Sequence, residues 1–315
     1  MKRLLRLLRN GKGLRHLPVV YPDGLEKGVR LFLSGLDEKP IDVTYDHVPV
    51  SLRPLTLGIR LDRQSLPPHV TLEIYDALEN TSPLARIGLD GVGGVPLAHG
   101  SLHLFHTASC DNRCVPARTR WIRYALSWQH ARQAARRQDS LRMSAADLVC
   151  LNAYYIAPRP VFLVSVAHLG SDNLFPMDLV GSLSSGEFTL ALRSTSPAIE
   201  LMEGSRRLAL CDAPAAHIKA IYALAAHHRR KSIDMDALPF PMRPSPVFGL
   251  PVIADAQLVR EVAIQDVHRI GSHVLFISTI IQESGRAKDQ LAHVSGMYAE
   301  WLSRHHRPLR AVGPL

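Results

Sequence analysis

Residues 158–206 constrain the fold of this chain more than any other stretch. They open with an almost continuous apolar run at residues 161–166, whose length and β-branched content are typical of a buried strand. A turn is predicted at residues 170–173. The segment 174–180 contains a proline, which removes an N–H donor, so it predicts a sheet edge or an irregular piece. Residues 188–192 alternate large and small side chains, which predicts another strand.

An anion-binding helix start is predicted directly after that strand. Ser196 is a suitable N-cap for a helix that begins with Pro197 and continues through AIELMEGS. The first turn of a helix presents unpaired N–H groups and the positive end of a dipole, and both attract anions. Arg193, Ser194 and Thr195 add a charge and two hydroxyls, so this turn is suited to bind a phosphate. An ordinary capped helix is the alternative.

Three segments, taken in order, carry a resemblance to a known family. They are PVFLVSVAHLGSDNLFPMDL, then FTLALRSTSPAIELM, and then Gly271-Ser272-His273 before VLFISTI. Over residues 158–285 this order resembles the flavin reductase-like family of FMN-binding split barrels. In that family a strand and an Asn-containing segment cover the flavin ring, and a Ser/Thr-bearing turn takes the phosphate. A Gly-Asp-His motif follows later. Ser272 stands where the family usually carries aspartate, and this departure weakens the assignment of His273 to the nicotinamide side.

The resemblance implies a fold and a set of site residues. The expected fold class is mainly β with α (α+β). It comprises an antiparallel Greek-key split β-barrel in the C-terminal half, preceded by a small β-rich module and a helical connector. The resemblance places the ring, largely through backbone groups, against Asn173, Phe175, Met177 and Asp178. It places the phosphate against Arg193, Ser194, Thr195 and Ser196, and His273 on the nicotinamide side.

The function implied by the resemblance is that of an NAD(P)H-dependent flavin reductase. Such an oxidoreductase transfers hydride through bound FMN, or through FAD in its place, with NAD(P)H as co-substrate. A homodimer is also expected. Two alternatives stay open: an FMN-binding oxidoreductase with another specific substrate or partner, and a non-enzymatic split barrel whose basic helix binds nucleic acid or protein.

The composition is that of a folded chain with anionic partners. The 315 residues are 46% hydrophobic and 21% charged, enough for two domains with a core each. The net charge of +9 favours anions without choosing among nucleotide cofactors, nucleic acid and acidic membrane surfaces. The apolar runs fall short of the roughly 20 residues of a membrane span. Four cysteines fit a reducing compartment, so a cytoplasmic location is expected.

The N-terminal half resembles no family that we identify. Residues 1–15 pattern as a short basic helix, with a transit peptide or a membrane-surface anchor as alternatives. Residues 28–106 contain period-two alternation, clearest at residues 55–61, and predict a small antiparallel module. The predicted division is 1–115 for the β-rich module, 116–157 for the connector, 158–285 for the split barrel and 286–315 for a C-terminal helix and tail.

Two features of this half suggest ligands on first inspection. The glycine-rich run LDGVGGVPLAHG predicts a loop, because no helix opens after it as a dinucleotide fingerprint requires. His103, His106, Cys110 and Cys114 carry zinc-type groups, but their spacing is not one of the familiar ligand pairs. Unpaired polar residues and buried thiols are the favoured interpretation. No metal site is predicted, and the sequence leaves the question open.

Helices are predicted on either side of the barrel strands. Residues 118–138 combine an apolar face, which includes Trp121 and Trp128, with a face of arginines. Arginines can bind phosphates, but a solvated face is expected here and nucleic acid is not. Residues 213–228 predict a helix with a cationic end. Residues 287–304 predict an amphipathic helix with an apolar row of Leu291, Val294, Tyr298 and Trp301.

Overall fold

The computed structural model describes residues 16–22, 28–79, 81–135, 142–307 and 309–311. Contacts divide the chain into two compact units. Residues 28–158 and 293–311 make up most of the first, and residues 159–292 most of the second. The basic helix predicted at residues 1–15 lies outside the described residues. No helix in the described ranges is long and apolar enough to cross a membrane.

A seven-stranded antiparallel sheet is the main element of the first unit. Its strands are β2 (Val29–Ser34), β3 (Ile41–Asp42), β4 (His47–Leu52), β5 (Leu55–Leu61), β6 (His69–Asp76), β7 (Ala85–Pro96) and β8 (Ser101–Asn112), whereas β1 (His16–Pro22) belongs to a different sheet. Strands β2 to β8 pair in the order β3-β2-β6-β7-β8-β5-β4. The predicted alternation at residues 55–61 is β5, which lies inside this sheet.

Strand β7 corrects the loop predicted for the glycine-rich run. Residues 85–96 pair with β8 over the whole strand, with register shifts between Gly88 and Leu89 and between Gly91 and Gly93. Gly93 has a φ of +135°, a conformation that other residues rarely adopt. Glycine inside a strand commonly marks a bulge. The loop prediction was wrong because these glycines form bulges in a continuous strand.

Two helices complete the central part of the first unit, α1 (Ala117–Ala135) and α2 (Ala145–Tyr154). The Ser144 Oγ caps α2 by accepting the Asp147 N–H at 2.9 Å. Helix α1 packs through Leu126, whereas Trp121 and Trp128 are 69% and 51% exposed. The predicted apolar face of α1 is therefore wrong. Both helices contribute to the core of the first unit.

The second unit contains the segments that carry the resemblance. Its strands and helices are β9 (Arg159–Pro160), β10 (Phe162–His168), β11 (Ser171–Met177), β12 (Val180–Ser182), β13 (Glu187–Arg193), α3 (Ala198–Ser205), β14 (Arg207–Asp212), α4 (Ile218–Ala223), β15 (Met242–Pro244), β16 (Pro251–Ile253), β17 (Leu258–Ile270) and β18 (His273–Gly285). Short 3₁₀ turns at Ala215–His217 and Leu224–Arg229 flank α4, so the helix predicted over residues 213–228 is broken into three pieces.

Seven of these strands form one antiparallel sheet in the order β11-β10-β14-β17-β18-β13-β12. The neighbours β10–β14 and β13–β18 are not consecutive in the chain, so the hairpins are joined by crossovers of the Greek-key type. The predicted fold class is confirmed: the chain is mainly β with some helices, and the sheet of the C-terminal half fits a split barrel.

Both faces of this sheet are covered, which explains the continuous apolar run in β10. Phe162, Val164 and Val166 belong to a core shared with α3. Val161 and Leu163 belong to a second core on the other face, built with residues 218–253. A strand buried on both faces needs apolar side chains at successive positions rather than at alternate ones.

Two local predictions concern the turn before β11 and the proline within it, and only the first changes. The turn predicted at residues 170–173 is tighter, because Leu169 and Gly170 make the reversal with φ values of 49° and 73° and β11 begins at Ser171. Asn173 is therefore a strand residue. Pro176 lies in β11, an edge strand of the sheet, as its missing N–H predicted.

The C-terminal helix is shorter than predicted. Residues 289–295 form β19 (Asp289–Ser295), followed by α5 (Gly296–Arg304) and β20 (Arg310–Ala311). The Leu291 carbonyl accepts the Val161 N–H at 2.8 Å, so a backbone partner holds this part of the chain extended. Leu291 and Val294 are buried as strand residues, whereas Tyr298 is buried on α5. The apolar row that predicted one helix is therefore divided between the strand β19 and the helix α5.

Candidate functional site

The ladder between β13 and β18 brings two predicted site segments together. Arg193, the last residue of β13, is the register partner of His273, the first residue of β18. One step beyond, the Ser194 N–H donates to the Ser272 carbonyl at 3.0 Å. The predicted phosphate turn and the Gly271-Ser272-His273 motif, 80 residues apart in the chain, are therefore held side by side by main-chain hydrogen bonds.

The turn predicted to bind phosphate, residues 193–196, has an exposed part and a buried part. Ser194 and Thr195 are exposed, whereas Ser196 is buried. The Ser196 Oγ accepts the Ala198 N–H at 3.3 Å and donates to the His228 carbonyl. Pro197, with helical φ and ψ, occupies the capping position of α3, so the helix starts one residue later than predicted. Ser196 is therefore not the N-cap that the sequence predicted, but its hydroxyl contacts the helix start and holds the turn in place.

His273 is a buried, neutral strand residue rather than a turn residue. It is 2% exposed, and its Nδ1 lies 2.9 Å from the Ser272 Oγ. Burial, and after it the positive charge of Arg193, lower the pKa of His273 to about 4, although the Asp178 carboxylate acts in the opposite direction. His273 is therefore uncharged at neutral pH. The same interactions place Asp178, Arg193 and His273 within electrostatic reach of one another.

The predicted ring residues lie on β11 and just after it. Phe175 and Met177 are buried in the core shared with α3, and Asp178 is half-buried. Asn173 is fully buried, and its Nδ2 donates to the carbonyls of His227 and Arg230 at 3.1 and 2.8 Å. Its Oδ1 is buried without a hydrogen-bond partner among the described residues. Because the Phe175 side chain is buried in the core, only its main chain would be available for the predicted contact with a ring.

The 3₁₀ turn at Leu224–Arg229 links β11 to the turn at residues 193–196, a role that the sequence did not indicate. Besides accepting from Asn173, His227 contacts the Leu174 carbonyl through Nδ1 at 3.1 Å. The His228 carbonyl accepts the Ser196 hydroxyl. Burial lowers the pKa of His228, and the charges of Arg229 and Arg193 add to that effect. The cationic run after α4 was the available signal, but it predicted only a helix end.

The His and Cys residues considered for a metal in the first unit are dispersed. The His103 Nε2 lies 2.9 Å from the Arg63 carbonyl, and Cys114 is buried. Hydrogen bonding to Cys150, together with burial, raises the pKa of Cys110. Within the described ranges, no three His, Cys, Asp or Glu side chains are grouped as a metal site would require.

Comparison with known proteins supports the resemblance over one part of the chain. The family model described as "Flavin reductase like domain" matches residues 154–302. No curated protein matches the chain.

Several solved structures share part of the fold. An FMN-binding protein from Thermus thermophilus, with bound 1-cyclohex-2-enone, is 22% identical; 45% of this chain and 84% of that one align, with a TM-score of 0.39. An NADH:FAD oxidoreductase from Streptomyces globisporus C-1027 is 18% identical, with 53% and 93% coverage and a TM-score of 0.42. A flavoredoxin from Methanosarcina acetivorans is 15% identical, with 41% and 69% coverage and a TM-score of 0.37.

The family-model match begins four residues before the region that the motifs indicated and ends 17 residues after it. The resemblance predicted from the motifs is thus confirmed as a match of residues 154–302 to the flavin reductase-like family model.

Proposed function

We propose that the second unit binds FMN and transfers hydride between NAD(P)H and that flavin. The observation that supports this most strongly is the pairing of Arg193 with His273, which joins the turn proposed for the phosphate to the residue proposed for the nicotinamide side. The family-model match supports an oxidoreductase of the flavin reductase type. FMN rather than FAD, a homodimer and a cytoplasmic location are parts of the same proposal.

The groups at the turn fit a phosphate. Arg193 offers a guanidinium, and the exposed Ser194 and Thr195 offer two hydroxyls on successive residues. Charge-assisted hydrogen bonds from guanidinium to phosphate are the strong ones in proteins. Ser196 is engaged with the His228 carbonyl and the Ala198 N–H. Its proposed part is therefore to hold the turn and the helix start in place.

The groups around β11 fit the polar edge of a flavin ring. The Asn173 Oδ1 is a buried acceptor without a hydrogen-bond partner among the described residues, and buried acceptors usually have one. Met177 is buried, and the half-buried Asp178 lies close enough to His273 to affect its pKa. In this proposal the main chain of residues 173–178 lines the ring.

The protein's own residues then position and shield the reactants. Bound flavin would supply the hydride chemistry, which needs no essential acid or base from the protein. A neutral His273 can donate or accept one hydrogen bond on the nicotinamide side without adding a second charge beside Arg193. Arg193 would hold the phosphate. Together with burial, which has the larger effect, its positive charge disfavours protonation of His273 and keeps that imidazole uncharged at neutral pH.

The proposal predicts a yellow protein whose flavin is reduced by NADH or NADPH. The full chain is titrated with FMN, and flavin absorbance and fluorescence are followed under anaerobic conditions. We expect saturable binding of FMN and bleaching of the bound flavin on addition of the nicotinamide nucleotide. Binding without bleaching by either nucleotide would favour an FMN oxidoreductase with another substrate or partner. Absence of flavin binding would favour the non-enzymatic alternative.

The phosphate assignment makes a separate prediction for the double variant Arg193→Ala with Thr195→Ala. Loss of one charge-assisted and one neutral hydrogen bond is expected to weaken FMN binding about 10- to 100-fold. Riboflavin lacks the phosphate, so its binding should change far less. The matched control is Arg269→Ala on β17. It removes an exposed arginine that pairs with Glu203 at 3.3 Å. Equal losses for FMN and riboflavin would contradict the assignment.

A further inference from the structure

A cavity of about 240 Å³ lies within the first unit, and nothing in the proposed flavin chemistry uses it. Its walls come from the end of β8, from α1 and α2, and from Met297 of α5. All of these residues belong to the first unit, whereas the proposed flavin site is built from the second. An apolar cavity of roughly 150 Å³ is enough to bind benzene, so this one can hold one or two aromatic rings.

The outer wall of the cavity is aromatic and exposed. Trp121 and Tyr124 of α1 line it and are 69% and 54% exposed. Ligand pockets are typically lined by aromatic side chains with a few placed polar groups, whereas large aromatic side chains left in solvent are costly. Of these two residues, Trp121 belongs to the apolar face that the sequence pattern predicted for α1.

The inner wall holds an unsatisfied polar group. Ser127 lines the cavity, is 1% exposed, and its Oγ has no hydrogen-bond partner among the described residues. A buried hydroxyl of this kind normally has a partner. Cys110 lines the same wall as a neutral thiol, because its hydrogen bond with Cys150 and its burial raise its pKa. The interior therefore offers hydrogen bonding without a charge.

The rim carries an excess positive charge. Asp111 accepts from Arg113 at 3.0 Å and from Arg120 at 2.5 Å, so one carboxylate serves two guanidinium groups. Arg120 is also a lining residue of the cavity. These two guanidinium groups and one carboxylate sum to one positive charge among the described residues at the opening, and a carboxylate or similar anion would balance that charge.

We propose that this cavity binds an aromatic anion of one or two rings. The rings lie against Trp121 and Tyr124, the Ser127 hydroxyl donates to or accepts from a polar ring substituent, and the acidic group pairs with Arg120. The site belongs to the first unit and holds whether or not the second unit binds flavin. The molecule bound there would be a specific substrate or effector of the protein, and no residue of the barrel strands would contact it.

Naphthalene-2-carboxylate and its neutral analogue naphthalene-2-carboxamide test this proposal on the full chain by calorimetry and tryptophan fluorescence. We expect saturable binding of the carboxylate, about tenfold tighter than that of the carboxamide because of the charge-assisted pair. Arg120→Gln should lower carboxylate affinity to that of the carboxamide and leave the carboxamide unchanged. The matched control is Arg132→Gln on the same helix, whose guanidinium stacks 4.3 Å from the Trp128 ring and does not line the cavity.

Two further variants keep the test decisive. Val149→Phe fills the cavity and should abolish binding of both probes, and Trp121→Ala, at an exposed position, should weaken both without affecting folding. The proposal is overturned if neither probe saturates, or if Arg120→Gln affects both probes equally. It is also overturned if Trp121→Ala changes only the sedimentation coefficient of the chain, since the aromatic face would then be a surface between copies of the protein.

Discussion

Lowering the pH from 6.5 to 4 is expected to destabilise the second unit by about 3 kcal/mol through His273 alone. The folded pKa of this imidazole, about 4, lies below its ordinary value of 6.5, so the unfolded chain binds the proton more readily. The stability that the neutral imidazole contributes is therefore fully present above pH 6.5. It is lost as the pH falls towards 4. Burial is the main cause, since desolvation penalises the charged form.

The measurement is urea denaturation of the wild type and of His273→Gln at pH 7, 5.5 and 4. The glutamine variant is expected to lose less stability than the wild type between pH 7 and 4, and the difference should approach 3 kcal/mol. His99→Gln removes an exposed imidazole from the first unit and serves as the control. Parallel pH profiles for wild type and His273→Gln would show that the imidazole is hydrated in the folded protein.

Glu261→Ala is expected to destabilise the second unit by about 3 kcal/mol or more, because three donors lose their acceptor. Glu261 lies on β17 and is fully buried. Its carboxylate accepts from the Ser245 hydroxyl at 2.6 Å, from the Phe248 N–H at 2.6 Å and from the Val247 N–H at 2.9 Å. These bonds attach the loop between β15 and β16 to the sheet.

The loop itself supplies the local readout for this prediction. In Glu261→Ala the amides of Val247 and Phe248 should exchange with deuterium much faster than in the wild type. Glu261→Gln retains one carbonyl acceptor and should lie between the two. The control is Glu283→Ala on the neighbouring strand, which removes a half-exposed carboxylate paired with Arg260 and should cost less than about 1 kcal/mol. Equal losses for the two alanine variants would refute the anchoring role of Glu261.

Local sequence was sufficient where one short-range force dominates. The apolar run of β10, the edge-strand proline of β11 and the helix of residues 198–205 all follow from side-chain burial, a missing N–H or a capped helix start. The ordered motifs also indicated the region that the family model matches. In each case the relevant interaction lies within a few residues of the chain.

Local sequence failed where a distant partner decided the outcome. The glycines of β7 form bulges because β8 supplies a ladder, and Leu291 joins a strand because Val161 donates to its carbonyl. On α1, the choice between Leu126 and the tryptophans depends on which side of the helix meets the rest of the first unit. Periodicity reports that a face is apolar, but not whether another element covers it.

By itself the sequence determined the β-rich class of the chain and the strands and helix of residues 158–206, and it predicted an anion-favouring turn at residues 193–196. Only the tertiary structure decided that this turn pairs with His273, that His273 is buried and neutral, and that residues 224–230 link the turn to Asn173. The physical reason is that capping, patterning and strand propensity act between neighbours in the chain. Burial and electrostatic coupling depend on residues that folding brings together from far apart.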